Sequence, residues 1–90
     1  MNKIQKQLIE EVSTASKALE VSDEYSKGQK VGYLEAIAIL IKERNNPDTQ
    51  LVEIKKDLQK EIDSLDNKKQ LDIVGKMALE KAIEIVKSKE

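Results

Sequence analysis

The stretch EYSKGQKVGYLEAIAILIKERN, residues 24–45, decides how this chain is read. From Val31 to Ile41 only Glu35 is charged, and the residues are good helix formers. Its first half instead holds Gly28 and Gly32, two of the three glycines in the chain. A glycine inside a helix costs about 1 kcal/mol relative to alanine. Gly28, Gly32 and Ala36 fall four residues apart and so form one ridge of a helix. A ridge without side chains lets a second backbone come unusually near. Tyr25 and Leu40 extend that ridge and Tyr33 flanks it, so both aromatic residues of the chain border the notch. Three readings are open at this point. The notch accepts another helix of the same chain, it accepts another molecule, or Gly28 breaks the helix. The apolar run is too wide for a single neighbour. Tyrosine is also enriched in binding surfaces. Tyr25, Gly28, Gly32, Tyr33, Ala36 and Leu40 are therefore the candidate protein-contact residues. If Gly32 is helical, alanine should be tolerated there and leucine should not.

Working outward, helix two is expected over 23–44, roughly 33 Å long. Ser22 or Asp23 is its candidate cap, and Asn45, Asn46 and Pro47 its stop. Apolar nearly all round, it should be buried on several sides. Helix one, 2–20, carries the stripe Ile4, Leu8, Val12, Ala15 and Leu19. Helix three, 48–65, opens near Pro47 and carries Leu51, Ile54, Leu58, Ile62 and Leu65. Continuing that phase would put Lys69, Asp72 and Lys76 in the core, which is unfavourable. The apolar set restarts with Leu71, Val74, Ala78, Ala82 and Ile85. A turn at LDNKKQ is therefore preferred over one kinked helix from 48 to 88. Helix four is expected over 67–88, with Asp66 or Asn67 as cap and Gln70 closing a capping box. The fold class is all-α, a single domain forming a small antiparallel bundle of four helices. Ile4, Leu8 and Val12 match Ile54, Leu58 and Ile62, and AIAIL (36–40) matches AIEIV (82–86), as two related helical hairpins would.

Composition narrows the functions. The chain has 90 residues, of which 37% are charged and 39% hydrophobic. A domain this small buries a marginal core, and dimerisation is a common remedy. Its 16 basic and 17 acidic residues nearly cancel, so no bulk field points to nucleic acid. With no histidine or cysteine there is no ordinary base near neutral pH, no thiol nucleophile and no soft-metal site. The Gly-x-x-x-Gly here lacks the Lys-Ser/Thr ending of a phosphate loop. No enzyme, metal or cofactor is expected. Glu35 within the apolar run reads as an edge residue reaching solvent or a lysine of another helix. Glu53, Asp57 and Glu61, interleaved with Lys55, Lys56 and Lys60, read as a solvated face. The apolar run 36–41 is too short to span a bilayer, and MNKIQKQLIEEV turns polar too early for a signal peptide. A cytoplasmic protein is expected.

Tyr25, Gly28, Gly32, Ala36 and Ile37 form the pattern Tyr-x-x-Gly-x-x-x-Gly-x-x-x-Ala-Ile, about a quarter of the chain. It resembles small helical accessory proteins of bacteriophages and mobile elements of Gram-positive bacteria. That resemblance implies a small protein that binds and modulates a host protein, and it transfers no catalytic residue. The expected function is protein–protein binding, with a homodimer through helix two. The alternatives are a nucleic-acid-binding regulator using the lysines at 27–30 and 68–69, and a bundle like the bacteriocin-immunity proteins, an analogy of size and helix content alone.

Overall fold

A computed structural model describes residues 3–43, 50–66 and 68–89. Four helices account for most of them: α1 (Lys3–Ala18), α2 (Glu24–Glu43), α3 (Leu51–Ser64) and α4 (Gln70–Lys87). No residue described has a positive φ, so Gly28 is an ordinary helical residue and the helix-break reading fails. Consecutive helices run antiparallel. Gln5 near the start of α1 reaches Glu43 at the end of α2, and Lys30 early in α2 reaches Ser16 late in α1.

Each helix boundary has a local cause. Asp23 caps α2 by accepting the Ser26 N–H at 2.8 Å, and the Ser26 hydroxyl accepts the Asp23 N–H at 3.1 Å. This is a capping box with serine in the place usually held by Glu or Gln. Leu65 is extended (φ −80, ψ 148), as is Lys69 (φ −94, ψ 127), so α3 and α4 are separate helices joined by a turn. The expected cap of α4 is corrected. Lys69 is its N-cap residue, and Gln70 is its first helical residue. Asp72 reaches back instead, accepting the Asp66 N–H at 2.8 Å. Helix three also starts later than expected, because Gln50 is extended (φ −78, ψ 154) and Leu51 is the first helical residue. The stop signals Asn45, Asn46 and Pro47, and the candidate cap Asn67, lie outside the described residues.

The core joins Leu8 and Val12 of α1, Ala36 and Leu40 of α2, Ile54, Leu58 and Ile62 of α3, and Leu79, Ala82 and Val86 of α4. Ala36 and Leu40 of the first hairpin and Ala82 and Val86 of the second are all core residues, as the AIAIL/AIEIV match suggests. Helix one sits rotated from its expected stripe. Gln5, Leu8, Val12 and Ser16 are buried, whereas Ile4 is 41% exposed.

The glycine notch shapes the whole cross-section. Gly28 faces Leu71 and Val74, and Gly32 faces Gly75 and Ala78. Residue numbers rise together along the two helices, so α2 and α4 run in the same direction. They are the diagonal pair of an up-down-up-down bundle, here in intimate contact, while the backbones of α1 and α3 do not approach one another closely. A Cβ added at Gly32 would lie 2.5 Å from the Gly75 carbonyl oxygen and 2.9 Å from both Gly75 Cα and Ala78 Cβ. Alanine at 32 is therefore not tolerated without moving the α4 backbone, which corrects the expectation from helix propensity. α1 and α3 lie on either side of this diagonal, and the outer side of α2 is covered by none of the other helices.

Candidate protein-contact face

The six residues singled out from the sequence fall into two groups. Gly28, Gly32, Ala36 and Leu40 are buried within the chain, the glycines directly against α4. The notch serves an internal contact, and these four residues present no surface to another molecule. Tyr25 is 45% exposed, its hydroxyl 3.5 Å from the Met77 sulfur, and Tyr33 packs half-buried on the core.

The surface that α2 does offer lies on its opposite side. Val31 is 46% exposed, Leu34 53% and Ile41 39%, and Ala38 between them is exposed too. This run is buried on several sides, against α1, α3 and α4, but its outer face is uncovered. Residues 31, 34, 38 and 41 are spaced three, four and three apart, which is the seam pattern of a coiled coil rather than of a core-facing globular helix. The inward ridge at 28, 32, 36 and 40 caught attention through its glycines. The outward seam was hidden in the sequence because both faces of α2 are apolar, and periodicity alone does not say which one is covered.

The two flanks of the seam differ in charge. On the side of α1 lies Lys30, whose Nζ donates to the Ser16 carbonyl at 2.7 Å. That contact adds a second donor, beside the Leu19 N–H at 3.3 Å, to a carbonyl of the last turn of α1 and places a cation where the helix dipole favours one. On the other side lies Glu35, with Glu61 of α3 and Asp72 of α4 beside it. Burial is the main cause that raises the Glu35 carboxyl above its ordinary value, followed by its hydrogen bond with Glu61 and the negative charges of Glu61 and Asp72. Glu35 is thus an edge residue partly open to solvent, as expected, with acids beside it.

Val31, Gly32, Glu35, Leu65, Leu71, Asp72 and Gly75 line a cleft of about 150 Å³. That is well below the roughly 300–1,000 Å³ of typical small-molecule sites. Among the described residues no group of three or more acidic side chains is arranged to hold a metal ion, and no helix is long and apolar enough to cross a membrane. Compared with protein-family models, curated proteins and solved structures, the chain matches none.

Proposed function

We infer that this is a non-catalytic bundle that works by binding protein, with the outer seam of α2 as its contact surface. The observation that carries this reading is the uncovered stripe Val31, Leu34, Ala38 and Ile41 on a chain otherwise rich in charge. Leaving such a stripe in water forgoes the burial of several large apolar side chains, and contiguous exposed apolar surface commonly marks an interaction site. The resemblance of residues 25–37 to small phage and mobile-element accessory proteins points the same way, toward modulation of another protein in a host cell.

The test is site-specific photo-cross-linking. A photoreactive residue at position 34 should give adducts heavier than the chain, whereas one at Lys81, an exposed polar position of α4, should give none. Equal labelling at both positions contradicts the reading.

A further inference from the structure

Resting on that reading of the seam, we propose that its occupant is the same seam of a second copy of this chain, lying parallel and in register. The spacing 31, 34, 38, 41 assigns Val31 and Ala38 to one set of coiled-coil core positions and Leu34 and Ile41 to the other. Among parallel coiled coils, a β-branched residue at the first set with leucine at the second, as in Val31 and Leu34, favours two strands. Ala38 is small, so the two helices can approach closely at the middle of the seam.

Charge selects both the occupant and its direction. In a parallel pair, each residue on one flank faces the residue five positions later on the opposite flank of the other helix. Lys30 therefore meets Glu35 of the second copy, and symmetry makes the contact twice. Lys30 already donates to Ser16, but an ammonium has three donors and retains two. Its arrival also brings a cation to the place where Glu35, Glu61 and Asp72 converge. One heptad later Ile37 meets Lys42 of the second copy, a neutral pairing. An antiparallel pair would instead set each flank against its own kind and lose the Lys30–Glu35 contact, the flank of Glu35 and Lys42 then facing itself. The seam from 31 to 41 is only about 15 Å long, so the dimer dissociates on dilution.

Sedimentation equilibrium from low micromolar to near-millimolar concentration tests this. The wild type should shift from monomer to dimer. Leu34→Glu should stay monomeric with unchanged helix content. Glu35→Lys should weaken association several-fold while leaving the monomer at least as stable, since it relieves the acidic cluster but opposes the incoming Lys30. The chain has no cysteine, so Ala38→Cys supplies a single thiol that should oxidise to a disulfide dimer far faster than Gln59→Cys on the exposed face of α3. A monomer at every concentration overturns the proposal, as does a dimer indifferent to Leu34→Glu. A dimer with no advantage for Ala38→Cys overturns the parallel register. If the chain is monomeric but position 34 still cross-links to a different protein, self-pairing fails and protein binding through the seam stands. If neither occurs, both fall.

Discussion

Asp23 and Ser26 show how much of α2 rests on two short side chains. The Asp23 carboxylate accepts from both the N–H and the hydroxyl of Ser26, each at 2.8 Å. Those bonds, the backbone one first, hold its carboxyl below the ordinary value of 3.8. Because the folded value is depressed, the contribution is present above 3.8 and is lost as pH falls through the lower folded value. Asp23→Ala should lower the melting temperature by a few degrees at neutral pH, and the difference should vanish in strong acid. Melts at the two pH values check this. Ser22 and Asp23 were both legible as candidate caps because the apolar stripe of helix one lapses at VSDE, residues 21–24. The partnership of Lys30 with Ser16 was not, since it joins residues brought together only when α1 and α2 fold back on each other. Lys30→Met should remove the shorter of the two hydrogen bonds to the Ser16 carbonyl, leaving only the Leu19 N–H at 3.3 Å, and cost about 1 kcal/mol or less, measured by chemical denaturation.

At the scale of elements, four helices were readable from apolar spacing, and the phase change after Leu65 correctly separated α3 from α4. Their rotations were less readable. Helix one turns to bury Gln5 and Ser16 and expose Ile4, because the surfaces it covers belong to α2 and α4 and are absent from its own pattern. The contact of α2 with α3 and α4 has a pH signature. The folded Glu35 carboxyl is raised, so its contribution to stability is fully present below 4.5 and is lost as pH rises through the higher folded value. Glu35→Gln should therefore stabilise the protein at neutral pH, by no more than about 1 kcal/mol for a half-exposed group. Its advantage should shrink to nothing as pH falls to the ordinary glutamate range. A constant difference from neutral to acid would mean that Glu35 acts through packing instead of charge.

At the scale of the molecule, the two faces of α2 have opposite roles. The inward ridge lets α2 and α4 meet closely across the bundle's diagonal, and the outward seam faces away from every other helix. The sequence showed the ridge through Gly28 and Gly32, four apart. It did not show its complement, because Gly75 stands alone in α4 and faces Gly32 only once α2 and α4 are aligned. The three glycines should not behave alike. A Cβ on Gly75 would find its nearest neighbour 3.8 Å away, ordinary contact, whereas on Gly28 it would lie 3.1 Å from Val74 Cβ, which must give slightly. The most direct measurement of this architecture is thermal unfolding of Gly32→Ala beside Gly75→Ala and the wild type. Overpacking costs about 1–3 kcal/mol against a gain of about 1 kcal/mol or less from helix propensity. Gly32→Ala should therefore melt several degrees lower, Gly75→Ala at or slightly above the wild type, and Gly28→Ala between them. If Gly32→Ala and Gly75→Ala both melt at or above the wild type, α2 and α4 do not meet backbone to backbone, and the closed diagonal is contradicted.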